Sequence, residues 1–267
     1  MPLGTGIETR RPSPRLSFPL AALLLGDLRD PMAAIREHNL KRFFGELPAR
    51  VDVDASHSYA QGATTQELLD LEPGAQEQLL SQSLAHYTDD FGRGRLAAAI
   101  AALYKGVAPE DVFVLSGTDA VIFDVFAALT NPNTTAVVQS PEYPPLRNVA
   151  EWRGASVVSW GPEADGSWDL AATADADVVV CCVPHSPLAT SPSEEWLRTL
   201  AGRCEVQGRT LIVDEIYRGI DLTEDGSGVL PSACELSSKA VRLLQPQVAP
   251  EPEPDQFIVH VLSWSLA

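Results

Sequence analysis

Residues 210–218 read Thr-Leu-Ile-Val-Asp-Glu-Ile-Tyr-Arg, an apolar and β-branched run that turns abruptly acidic and is followed by a tyrosine. An unbroken apolar run of this kind marks a strand buried on both faces, as found in parallel sheets covered by helices. Such a strand delivers Asp214 at its carboxyl end, and ligands of open α/β sheets sit outside that edge. A carboxylate there can hold a proton on a buried heteroaromatic nitrogen, with Tyr217 in reach of the same ligand. The alternative is a strand that ends in a solvated Asp-Glu pair, and the rest of the chain bears on the choice.

The preceding segments repeat this alternation. Alanine and leucine density over residues 95–104 predicts a helix. Apolar runs predict strands at 112–115, 135–139, 155–160 and 177–183, with helical spacing at 118–129, 146–152 and 193–204. Strands separated by helices of this length imply right-handed crossovers and a mostly parallel sheet. Ser116-Gly117-Thr118 is then a strand-to-helix turn, whose free N–H groups and helix dipole favour an anion, with the Thr118 hydroxyl as a further donor. Its other reading is a plain helix cap. Residues 245–254 are a proline-rich acidic linker, which packs as neither helix nor strand. Residues 225–255 are accordingly expected as a surface insertion, and 257–262 as one more buried strand.

A chain of 267 residues can bury one large core or two small ones. Its 19 basic and 36 acidic side chains give a net charge of −17, which disfavours nucleic acid or an anionic membrane as partner. Any anionic ligand therefore needs a local site. No stretch approaches the roughly 20 apolar residues of a membrane span. The apolar run at 18–25 follows Arg10, Arg11 and Arg15 but is short and lacks a small-residue cleavage site, so an N-terminal helix or arm and a cytoplasmic protein are expected. Cys181, Cys182, Cys204 and Cys234 show neither zinc spacing nor a disulfide framework and read as buried free thiols. Residues 1–15 are expected to be disordered, and 16–84 to form a helical arm and loop in which His57 is a surface residue.

Placed in order, several turns carry a resemblance. Tyr87 and Gly92 precede the 95–104 helix, Gly117-Thr118-Asp119 opens the next, and Tyr143 sits in Ser140-Pro-Glu-Tyr-Pro-Pro145. Pro184-His-Ser-Pro-Leu-Ala189 and Asp214-Glu-Ile-Tyr217 then follow their strands. From about Tyr87 onward this order resembles the large domain of the class I/II aminotransferases, the pyridoxal-phosphate enzymes of fold type I. The resemblance implies a three-layer α/β/α domain at 85–267, incomplete at its C-terminus, with pyridoxal 5′-phosphate as cofactor. It implies that Gly117, Thr118 and Asp119 receive the cofactor phosphate and that Tyr143 stacks on the pyridine ring. Asp214 would pair with the ring nitrogen and Tyr217 with the 3′-oxygen. Tyr87 matches a tyrosine that reaches the neighbouring subunit's phosphate, which implies a homodimer.

Two departures matter. Ser186 stands where the family has asparagine, keeping one hydrogen-bonding group and losing the other, and Leu188-Ala189 replaces Thr-Gly. Aligning residues 262–267 with the family's Ser-x-x-Lys puts Ser265 at the phosphate-contacting serine and the cofactor-bearing lysine just beyond Ala267. The chain is thus expected to be truncated before that lysine and inactive alone. Of Lys41, Lys105 and Lys239, only Lys239 imitates the motif, without an apolar strand before it. The strand that follows the lysine in the family lies beside the first large-domain strand, so 112–115 is expected to lack a partner on that side. The implied reaction moves an amino group between an amino acid and a 2-oxo acid. Fold type I lyases and cyclising enzymes share these residues, and a non-catalytic paralogue is the reading from a different class.

Overall fold

The computed structural model describes residues 34–37, 39–46, 63–81, 94–219, 229–238, 240–243 and 258–262, the last by backbone alone. The calls at Tyr87, His57, Lys239, Ser265 and residues 1–15 lie outside them. Among the described residues four helices come first: α1 (Asn39–Glu46), α2 (Thr65–Leu69), α3 (Ala75–Leu80) and α4 (Arg95–Ala101). Then follow β1 (Val112–Ser116), α5 (Thr118–Leu129), β2 (Thr135–Gln139), α6 (Pro144–Trp152) and β3 (Ser156–Trp160). The remainder is β4 (Val178–Cys182), α7 (Glu194–Val206), β5 (Thr210–Asp214), β6 (Ala240–Leu243) and β7 (Ile258–Leu262). Among the described residues no helix is long and apolar enough to cross a membrane.

The strands form a parallel five-stranded sheet of order β3-β2-β4-β5-β6 and a parallel pair, β1-β7. Period-two alternation sends Val138, Val180, Ile212 and Leu243 to one face, where they meet Ile122, Val125 and Phe126 of α5 and Leu146 and Val149 of α6. Val137, Val179, Leu211 and Val213 go to the other, against Leu197, Leu200, Ala201 and Cys204 of α7. Burial on both faces explains why these strands read as continuous apolar runs. The result is the expected three-layer α/β/α arrangement. The four cysteines are free thiols, three of them buried.

Two local boundaries have clear causes. Helix α6 begins two residues earlier than its apolar spacing suggests, because Pro144 and Pro145 occupy the first turn, where no N–H is required. Helix α4 ends at Ala101 rather than Tyr104. The Leu103 and Tyr104 N–H groups tighten onto the carbonyls of Ile100 and Ala101 at 3.0 Å, and Tyr104 is buried by a partner from far along the chain.

Two expectations need correction. Within the range read as a surface insertion, Ala240–Leu243 is a sheet strand, in register with β5 through Leu211↔Ala240 and Asp214↔Leu243. Ala240 and Leu243 enter the two core layers, and Arg242 is buried because Glu215 and Tyr104 receive it. The expectation that residues 112–115 lack a partner is also overturned. Strand β7 pairs with β1 from Val112↔Ile258 to Ser116↔Leu262 and lies against β6 as well.

Candidate active site

Because the strands are parallel and in register, their carboxyl ends come level. Cys182 lies beside Asp214, and Asp214 beside Leu243. Strand order reverses between β2 and β4: β3 lies outside β2, whereas β5 and β6 continue beyond β4. Crevices at such reversals are where α/β sheets bind ligands. Here the buried Gln139 spans the reversal, its side-chain carbonyl accepting from the Cys182 N–H at 2.9 Å, one residue past the last β2–β4 pair.

Four turns emerge at this edge. After β1, Gly117 caps α5 at φ 94° and ψ 145°, a conformation open to glycine and strained for other residues, and a Cβ built there would meet open space. A glycine cap supplies no side-chain oxygen, so the first N–H groups of α5 are left to other acceptors. After β2, the Ser140–Pro141 peptide is cis and Tyr143 precedes α6. Glu142 braces this turn by pairing with Arg147 at 2.5 Å. After β4, Val183–Pro184 and Ser186–Pro187 are cis, and the His185 N–H donates to the Thr190 carbonyl at 2.7 Å. After β5 come Asp214 and Tyr217.

The structure brings Asp119, Asp214 and Tyr217 within electrostatic reach of Tyr143. The Tyr143 hydroxyl donates to Asp119 Oδ1 at 2.8 Å. Burial raises the Tyr143 phenol well above its ordinary value, helped by the Asp119 hydrogen bond and the nearby carboxylates of Asp119 and Asp214. Asp214 is 4% exposed. Burial pushes its carboxyl up to about 6, against the Ile216 N–H, which donates to Oδ1 and favours the charged form. Burial and the Asp214 charge also raise the Cys182 thiol, which keeps it protonated and inert. Ser186 meets this group through its backbone, which hydrogen-bonds the Cys182 sulfur. Gly117 and Thr118 lie half-buried on the turn beside Asp119.

Some neighbours were not foreseen. Lys41 of α1 ion-pairs with Asp119 across 78 residues, a contact no local pattern announces. His185 is buried with its ring 5.1 Å from that of Trp168, and neither ring nitrogen has a hydrogen-bond partner among the described residues. Behind Asp214, Glu215 accepts from the Ala233 N–H at 2.7 Å and the Ser232 hydroxyl at 3.1 Å, and pairs with Arg242 at 2.8 Å. Arg242 in turn stacks on Tyr104, 3.8 Å from the ring centroid. This network pins the chain immediately after Asp214.

Comparison with known proteins bears on the family and the fold. A histidinol-phosphate aminotransferase from Geotalea uraniireducens (strain Rf4) is 30% identical over 186 residues, covering 67% of this chain and 51% of that protein. Another from Geobacillus sp. (strain WCH70) is 31% identical over 153 residues, covering 54% and 40%. The chain thus spans about half the length of the curated relatives it matches. Among solved structures, a PLP-dependent aminotransferase from Streptococcus suis 89-1591 superposes with a TM-score of 0.69 over 80% of this chain and 58% of that one. At 18% identity this likeness shows the fold. Residues 56–253 match the family model for aminotransferase class I and II, and the chain belongs to that family.

Proposed function

We propose that these 267 residues are the cofactor-binding portion of a pyridoxal-phosphate-dependent aminotransferase acting in the cytoplasm as a homodimer. The cofactor of the family is pyridoxal 5′-phosphate, and the residues present fit it. The observation that carries the reading is the gathering of a buried carboxylate, two tyrosines and a glycine-capped helix start at one sheet edge.

When bound, the cofactor supplies the electron sink for the substrate's α-carbon. The first turn of α5 would hold its phosphate on backbone N–H groups and the Thr118 hydroxyl. Asp214, kept from water, would keep a proton on the ring nitrogen, because its own burial makes a cationic partner strongly preferred. Tyr143 would cover the ring, held by Asp119, and Tyr217 would donate to the ring oxygen. Tyr87, Ser186 and Ser265 remain proposed cofactor contacts, Tyr87 across the dimer.

On this reading the chain binds cofactor without turning over amino acids. It spans about half the length of its relatives. Equilibrium dialysis against pyridoxal 5′-phosphate tests the reading. The expected result is reversible binding that Asp214→Ala weakens by about tenfold or more, the loss of one buried charge-assisted contact, with no transfer from amino acid to 2-oxo acid. Equal binding by Asp214→Ala would remove Asp214 from the site.

A further inference from the structure

The ion pair between Lys41 and Asp119 joins α1 to the first turn of α5. Two further contacts seat the same segment: Arg36 pairs with Glu151 at 3.1 Å, and the Arg36 carbonyl accepts from the Asn148 side chain at 3.1 Å. The segment around α1 is thus tied to α6 and to α5, where Asp119 also accepts from Tyr143. This matters because of charge. Asp119 places a carboxylate on the very turn whose uncapped N–H groups would receive the phosphate on the reading above, in a chain whose net charge is −17. A phosphate approaching that turn meets repulsion unless a cation stands beside it.

We infer that Lys41 is a phosphate-binding residue of the cofactor site, delivered by the N-terminal segment: its ammonium, held by Asp119, offsets that carboxylate and donates to a phosphate seated on the first turn of α5. The inference rests on the cofactor reading above. An ammonium has three donors, so it can serve Asp119 and a phosphate oxygen together. Its side chain is 65% exposed, so solvent screens part of its charge and substitution leaves the fold in place.

Equilibrium dialysis of the 267-residue chain and its Lys41→Met and Lys41→Arg variants against two ligands, pyridoxal 5′-phosphate and pyridoxal, tests it. The two ligands differ only in the phosphate. Lys41→Met is expected to weaken the phosphate ester by about tenfold, the order of one charge-assisted hydrogen bond near solvent. Pyridoxal should be unchanged, Lys41→Arg should hold the ester near the parent affinity, and circular dichroism should match throughout. Equal loss for both ligands would overturn the inference, because Lys41 would then act on the ring or aldehyde, and so would no loss for either. If the parent chain binds neither ligand, the cofactor reading itself falls, and this inference with it.

Discussion

Arg242 Nε lies 2.8 Å from a Glu215 carboxylate oxygen, with the arginine side chain 1% and the glutamate 3% exposed. Such a pair is sensitive to loss of one member, because the other remains buried and charged. Arg242→Met is expected to destabilise the fold by about 3–5 kcal/mol. Glu215→Gln with Arg242→Met should cost less than the two single changes together. Denaturant midpoints of the three variants check this, and single changes within about 1 kcal/mol of the parent would show that solvent reaches the pair.

Asp214 links stability to pH. Its folded pKa of about 6 lies above the ordinary 3.8, so the folded state binds this proton more tightly than the unfolded state does. The stability from the protonated form is complete below pH 3.8 and is lost as pH rises through 6. In cofactor-free protein, Asp214→Asn should therefore raise stability at pH 7.5 by about 3 kcal/mol, while changing little at pH 4. A difference between the two proteins that does not grow over this window would contradict the assignment. The gain should come with weaker cofactor binding, since the site's carboxylate is the strained element.

His185 acts in the opposite sense. Burial holds its pKa below the ordinary 6.5, so its contribution is present above pH 6.5 and is lost as pH falls through the lower folded value. No acceptor among the described residues would stabilise the charged ring. His185→Phe should flatten the acid limb of the stability profile below pH 6.5, and fluorescence of the adjoining Trp168 offers the local readout. An unchanged acid limb would mean that the ring is already solvated.

Gly117 should resist substitution for a backbone reason alone. Its φ of 94° disfavours any Cβ, although the space around it is open. Gly117→Ala is expected to cost about 1–3 kcal/mol. Thermal unfolding checks the cost. A neutral result would show that the turn relaxes to negative φ.

Much of this architecture was legible because its strands are buried on both faces. Val178–Cys182 and Thr210–Asp214 carry their burial in uninterrupted apolar letters, and their parallel register then puts Asp214 and the turns after β2 and β4 at one edge. Strand β6 was hidden by Arg242, a charge inside a four-residue run. Glu215 and Tyr104, the latter 138 residues away, make its burial tolerable. Lys41 was illegible for the same reason, since its partner Asp119 is distant in sequence. For β7 the apolar run announced a strand, but a run of letters names no neighbour, and its pairing with β1 had to come from the fold.

That pairing sets a clock on synthesis. Among the described sheet strands β1 comes first along the chain and β7 follows the others, and the two are ladder partners. At about 5–20 residues per second, β1 waits roughly 7–30 s for its partner to emerge. Throughout that interval the nascent chain can form the central sheet while one finished strand stays without its ladder, open to chaperones or to the same strand of a neighbouring polysome chain. The arrival of residues 258–262 is thus what ends the wait of β1 for its ladder.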